Sequence, residues 1–302
     1  MQALYAFFID EKADVKVAEK TLFTSIDKSY ELFLYLLGFL TDLHFFARIS
    51  MEESRAKRLP TQQDLNPNQK FVNNLFLTVL SDNKPIKAAL KSYQVSWQND
   101  QDLVRKIFNE IKNTDIFKEY MQSEQHSFAE DKKFVQTILE SFLYEHELFT
   151  FWFDEKNIHW HDDYYYGFFF LSNWMKLVTE HKMPAPKLYR DEEGDKKFVS
   201  DVFIKTILHS KDLETMISAH TKNWEIERIA SLDVLLMKMA LAEIAYLPNV
   251  PIKVSMNEYI EITKEYSSPQ SGAFINGVLD KIVLELKTQN KIQKTGRGLL
   301  ES

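Results

Sequence analysis

Apolar positions recur along most of the chain at the three- and four-residue spacing of amphipathic helices. Ala3, Leu4, Phe7 and Phe8 form a short first stripe. From Asp14 to Phe46 a long helix is predicted, with Leu22, Ile26, Tyr30, Phe33, Leu37 and Leu40 along it. Near the C-terminus Leu232, Leu235, Leu236, Met239, Ala240 and Ile244 share one face. Met256, Tyr259, Ile260 and Thr263 define the next helix, and Ser255-x-x-Glu258 has the spacing of its capping box. Ser268-Pro269 predicts an N-cap and first turn for a last helix carrying Phe274, Ile275, Val278, Leu279, Ile282, Val283 and Leu286. Breaks fall at Arg48 to Lys70, at His181 to Gly194, and in the loop framed by Pro248 and Pro251.

The middle of the chain repeats. Phe71-Val72, Phe134-Val135 and Phe198-Val199 are each followed, 26 residues after the Phe, by a tryptophan: Trp97, Trp160 and Trp224. Two copies share Asp-Lys-Lys-Phe-Val, at 131–135 and 195–199. The pattern predicts a repeated unit in which a helix opens with Phe-Val, a second helix follows, and a Trp closes the packing.

The 302 residues hold only 7 Gly and 8 Pro, too few for a turn-rich sheet or a Gly-rich nucleotide loop. With no cysteine there is no disulfide scaffold, thiolate zinc site or Cys nucleophile. The net charge of -7 confines any nucleic-acid role to a local patch. The start lacks the basic segment of a signal peptide, and the longest apolar run, Leu32 to Leu40, is shorter than a bilayer span. A soluble cytoplasmic protein, with no membrane association, is expected. His159-x-His161-Asp162-Asp163 could place two ligands on one helix face, but a catalytic metal needs three, so a solvated turn beside Trp160 is the reading. No catalytic residue, metal or cofactor is assigned. Arg48, Arg55, Lys57 and Arg58 alternate with Glu52 and Glu53 as a solvated face. The run Tyr164 to Phe170 reads as core, with partner docking as the alternative.

Three segments carry a family likeness: Asn223-Trp224-Glu225-x-Glu227-Arg228-Ile229-Ala230, Val250-Pro251-x-Lys253-Val254-x-Met256-Asn257-Glu258, and Phe274-Ile275-Asn276-Gly277-Val278-Leu279-Asp280-Lys281. In this order they resemble the C-terminal half of the NusB transcription antitermination family, and Gln2-Ala3-Leu4-Tyr5 resembles its first helix. The resemblance implies an all-α fold of two helical subdomains, here with an inserted helical repeat region. The expected division is 1–45 and 191–287 for the NusB-like parts, 46–190 for the insertion, and 288–302 for a basic flexible tail.

The resemblance also implies a non-enzymatic protein that binds boxA-type single-stranded RNA with the ribosomal protein NusE in the RNA polymerase antitermination complex. Such RNA is read by aromatic stacking, base-edge polar groups and phosphate-facing cations. The matching positions are Tyr5 and Phe274, then Gln270, Ser271 and Asn276, then Lys253 and Lys281. Glu227, Arg228 and Ser231 match the partner-facing helix. On periodicity alone Phe274 belongs to the core stripe; the resemblance makes it a stacking residue. Two departures stand out: position 273 is Ala where the family often has Lys, and the family's Arg-rich segment does not precede Gln2. That segment is expected upstream of Met1. A helical interaction scaffold with a decayed RNA surface is the alternative function, motivated by the acidic charge and the missing segment.

Overall fold

The computed structural model describes residues 1–221 and 229–300, with Gln63 as backbone only. Among the described residues the regular elements are helical, apart from one bridge between Thr179 and Lys182. In chain order the α-helices are α1 (Gln2–Ile9), α2 (Val15–Arg55), α3 (Gln62–Leu65), α4 (Leu75–Asp82), α5 (Lys84–Ser92), α6 (Gln101–Asn113), α7 (Asp115–Gln122), α8 (Phe128–Ile138), α9 (Glu147–Lys156), α10 (Tyr164–Leu177), α11 (Glu192–Leu208), α12 (Ser210–His220), α13 (Ser231–Tyr246), α14 (Ile252–Tyr266) and α15 (Ser271–Thr288). A π-turn, Leu139–Leu143, prolongs α8.

The chain forms two compact units, Met1–Phe23 with Tyr189–Ser302, and Thr24–Leu188. The first border, expected between residues 45 and 46, falls instead between Phe23 and Thr24, earlier in α2. Residues 32–47 of that helix pack in the core of the second unit, because Leu32 through Leu40 are buried on every side. By length and composition α2 could cross a bilayer, yet most of that apolar stretch is covered by the protein itself.

Within Thr24–Leu188, two repeat tryptophans dock on this helix. Both indoles are 1% exposed. Trp97 Nε1 donates to the Tyr35 carbonyl at 3.1 Å, and Trp160 Nε1 to the Lys28 carbonyl at 2.8 Å. The acceptors lie seven residues apart, two turns along α2. Gly38 makes the approach possible: a Cβ there would meet Val95 Cγ1 at 3.0 Å and Trp97 Nε1 at 3.5 Å. The helix–helix–Trp order holds for α4, α5 and Trp97, and for α8, α9 and Trp160. The Phe-Val pairs do not open the helices. Phe71 precedes α4, while Phe134 sits within α8; the two rings pack together at 5.9 Å. Phe198, inside α11, is largely exposed, and Trp224 lies outside the described residues.

The shared Asp-Lys-Lys segment serves two different structures. Asp131 is fully buried and accepts from Tyr120 OH and the Leu75 N–H, each at 2.7 Å. Asn74 Nδ2 completes the network by donating to Tyr120 OH at 3.0 Å. Asp195 instead accepts from the N–H groups of Arg190 and Asp191 just before α11. His159 and Asp163 meet α2 serines: His159 Nδ1 lies 3.5 Å from Ser25 Oγ, and Asp163 accepts from Ser29.

In the other unit, α13 forms the centre of the core, buried from Leu235 to Ile244, and α11, α12, α14 and α15 pack on it. Two predicted caps differ from their expected roles. Pro251, not Ser255, is the N-cap of α14; Ser255 is buried and donates to Glu243 Oε1 at 2.6 Å. Tyr259 OH donates to the other Glu243 oxygen at 3.0 Å. Likewise α15 begins at Ser271, with Gln270 as N-cap, because Ser268 is used in a hydroxyl contact with Ser271 at 2.9 Å.

The expected flexible tail is folded back on the loop after α13. Thr295 N–H donates to the Pro248 carbonyl at 3.0 Å, and Lys294 Nζ to the Leu247 carbonyl at 2.9 Å. Gly298 is buried there, where an added Cβ would stand 1.9 Å from Pro248 O. Gly296 turns the segment with φ +52°. Basic composition alone does not leave a segment free when its backbone finds partners.

Candidate nucleic-acid interface

The first turn of α13 is tied to the start of α15. Asp233 Oδ2 accepts from Ser271 Oγ at 2.7 Å, and Asp233 Oδ1 from Ser267 Oγ at 2.5 Å. A carboxylate is well placed near helix N-termini, where backbone N–H groups lack helical partners. Ser271, predicted to face RNA, is therefore buried and holds α15 against α13. Its hydroxyl contacts Asp233, Ser267 and Ser268.

Beyond this junction α15 presents an outward stripe. Gln270, Ala273, Gly277 and Lys281 are all exposed, at spacings of three and four residues. Phe274 flanks the stripe, half-buried against the core edge. Asn276 is also half-buried and donates from Nδ2 to Asp280 Oδ2 at 3.2 Å. A Cβ at Gly272 or Gly277 would meet nothing within 4 Å, so the helix backbone is bare at both. Lys253 is exposed on the first turn of another helix, α14.

Tyr5 and Ser231 line a different feature, an open groove of about 990 Å³ between α1, the end of α11, α12 and the start of α13. Its walls carry Phe8, Ile9 and Leu208, all exposed apolar side chains. Lys238 forms a polar base. Its Nζ donates to Glu214 and to Ser210 Oγ, and lies 5.4 Å from the Phe8 ring centre. Gln270, Phe274, Asn276, Lys253 and Lys281 do not line this groove. Glu227 and Arg228 lie outside the described residues.

Sequence reading missed the apolar groove walls and Lys238. A signal for Lys238 exists: it interrupts the apolar run from Val234 to Ala242. A lysine there must carry its charge to a partner. The neighbouring Glu243 is buried, which raises its carboxyl above the usual range. Burial also lowers Lys294 to about 8. Among the described residues no group of three metal-ligating side chains converges.

These features define an all-helical protein with an aromatic groove and a polar helix face in one unit. The NusB family model matches residues 175–284, which include the whole α15 stripe and Ser231 but neither α1 nor Tyr5. The transcription antitermination protein NusB of Salinibacter ruber is 43% identical over 110 residues, 36% of this chain and 69% of that protein. The NusB of Chloroherpeton thalassium is 43% identical over 106 residues, 35% of this chain and 50% of that protein. That of Desulfatibacillum aliphaticivorans is 40% identical over 91 residues, 30% of this chain and 64% of that protein. No solved structure gives a significant match. This chain belongs to the NusB family, whose similar members carry the name of transcription antitermination proteins.

Proposed function

We propose that this protein is a cytoplasmic transcription antitermination factor that binds boxA-type single-stranded RNA together with NusE, within the RNA polymerase antitermination complex. It acts by binding and carries no catalytic residue. The observation that supports this most is the α15 stripe, which lies inside the segment matched by the family model. Gln270 and Asn276 offer amides to base edges, Phe274 an aromatic edge, and Lys281 a cation for phosphate. Ser271 serves this surface indirectly by fixing the helix start through Asp233. Tyr5 and Ser231 belong to the neighbouring role of the groove, where apolar walls and the Lys238–Glu214 pair suit a protein surface as well as a stacked base. Lys253 contributes charge from α14, and Glu227 and Arg228 are assigned to the NusE interface.

The test is fluorescence anisotropy of a labelled boxA RNA with and without NusE, beside a scrambled RNA, across a salt series. Tight, sequence-selective binding that increases with NusE and falls with salt is the expected result. Equal binding of boxA and scrambled RNA, with NusE present and at low salt, overturns it. The alternative of a helical interaction scaffold draws on the exposed apolar walls of the groove, and predicts NusE binding without RNA selectivity.

A further inference from the structure

The unit Thr24–Leu188 carries an aromatic cleft at the edge of its core. Along α10, Tyr165, Phe168, Phe169 and Ser172 fall at i, i+3, i+4 and i+7, one stripe of the helix. Tyr165 and Phe169 are each 48% exposed, whereas Phe168 and Met175, which also line the cleft, are buried at its floor. Facing them is the π-turn Leu139–Leu143, where Tyr144 N–H reaches back five residues to the Leu139 carbonyl at 3.0 Å. Such turns interrupt a helix at some expense of stability and often mark functional sites. Here the turn presents Glu140 and Tyr144 to the stripe. The Tyr144 ring lies 5.4 Å from Phe168 and 6.2 Å from Tyr165, both edge-to-face. The resulting cleft holds about 210 Å³ and is half-open.

Glu140 stands at the edge of this cleft with one oxygen engaged. Gln136 Nε2 and Ser172 Oγ both donate to Oε1, at 2.9 and 3.1 Å. Those two donors hold the carboxylate in place at the cleft wall. Among the described residues no lysine or arginine pairs with Glu140 or lies over the four cleft rings. Elsewhere in the unit such cations are supplied internally: Lys156 over Trp152, Lys70 over Tyr120, Arg105 over Phe46 and Lys112 over Phe108. Among the residues that line the cleft, Glu140 alone carries a charge. That carboxylate repels phosphate and attracts a cation.

We infer that this cleft binds an arginine side chain from a basic segment of a partner protein. The guanidinium lies against the aromatic faces and donates to Glu140, the two interactions that favour arginine over lysine. The size agrees: the cleft is smaller than the roughly 300–1,000 Å³ of small-molecule sites, and fits one long side chain. Stacked RNA bases are the competing occupant, disfavoured by the Glu140 carboxylate.

The experiment uses the full chain labelled with 3-fluorotyrosine and read by fluorine NMR, with Tyr144→Phe and Tyr165→Phe assigning two signals. The probes are acetyl-Gly-Arg-Gly-amide, the same peptide with citrulline as neutral isostere, and a uridine hexanucleotide. The arginine peptide should move both signals saturably, and the citrulline peptide should bind about tenfold more weakly. Glu140→Gln should weaken the arginine peptide by a similar factor, at an unchanged melting temperature. Phe169→Ala tests the aromatic wall in the same way. Equal binding of the two peptides, an unaltered affinity in Glu140→Gln, no movement of the two signals, or displacement of the peptide by the hexanucleotide would each overturn the inference.

Discussion

Ser271 and Asp233, separated by 38 residues in sequence, are joined hydroxyl to carboxylate at 2.7 Å. This bond sets where α15 begins relative to α13, and with it the position of the proposed RNA-facing stripe. Asp233→Ala should strand the hydroxyls of Ser267 and Ser271 and lower stability by about 2–3 kcal/mol. Ser271→Ala should remove about 1 kcal/mol, since Ser267 still reaches Asp233. Urea unfolding measures both. At temperatures where Ser271→Ala remains folded, its RNA affinity should still fall, because the helix start loosens.

Phe274 separates stacking from packing. It is only half-buried, so Phe274→Ala should weaken boxA binding by about 1–3 kcal/mol, the scale of one stacked base. A stability loss of about 3–5 kcal/mol with unchanged RNA binding would instead make it a core residue. Paired anisotropy and thermal melting distinguish the two.

The two docked tryptophans should prove energetically coupled. Tyr35 touches both, with ring centres 6.0 Å from Trp97 and 5.2 Å from Trp160. Trp97→Phe and Trp160→Phe each remove an indole bond to α2 and should lower stability by about 1 kcal/mol or more. The double variant should depart from additivity by at least about 0.5 kcal/mol. Strict additivity in urea unfolding would refute transmission through Tyr35.

The docked tail gives a pH signature. Lys294 titrates near 8 in the folded protein and near 10.5 when free, because burial disfavours its charge. Between these values the unfolded chain binds more protons, so the contribution of Lys294 to stability rises with pH across that window. Glu243 has the opposite slope: its raised folded pKa makes its contribution fall as pH rises above about 4.5. Lys294→Met should therefore flatten the alkaline part of the stability profile relative to wild type. Denaturation midpoints between pH 7.5 and 10.5 would show it.

Gly298→Ala tests the tail by shape alone. The new Cβ cannot coexist with Pro248 O at 1.9 Å, so the segment should leave the loop. Trypsin should then cut after Lys291, Lys294 and Arg297 markedly faster than in wild type, while far-UV circular dichroism changes little.

What could be read in advance followed physical legibility. The family segments fall at the start of α14, in α15 and in the residues that precede α13, where motif residues keep order and spacing. Trp97 and Trp160 were visible as a pair because tryptophan is rare here, but their acceptors were not, since every residue offers a carbonyl. Tyr30, Phe33, Leu37 and Leu40 read as one face of a helix, yet the run Leu32 to Leu40 is buried all round, which hid how far the second unit reaches back along α2. Ser255 and Ser271 looked like surface groups at helix starts. A short hydroxyl reads the same whether it meets solvent, a ligand or a distant carboxylate, and Glu243 and Asp233 are what each one meets. The π-turn at Leu139–Leu143 left no sequence mark, because its register shift depends on hydrogen bonding rather than on composition.

The division between the two units falls between Phe23 and Thr24, nine residues into a helix of 41. Accessory domains are most easily tolerated at exposed loop tips, where both junctions can be cut without disturbing secondary structure. Here one junction is a continuous helical backbone. A cut between Phe23 and Thr24 therefore opens helical hydrogen bonds on both sides of it, which a cut in a loop does not. An excised version joining Phe23 to Tyr189 would keep a helical stub of nine residues, below the length that sustains itself in water.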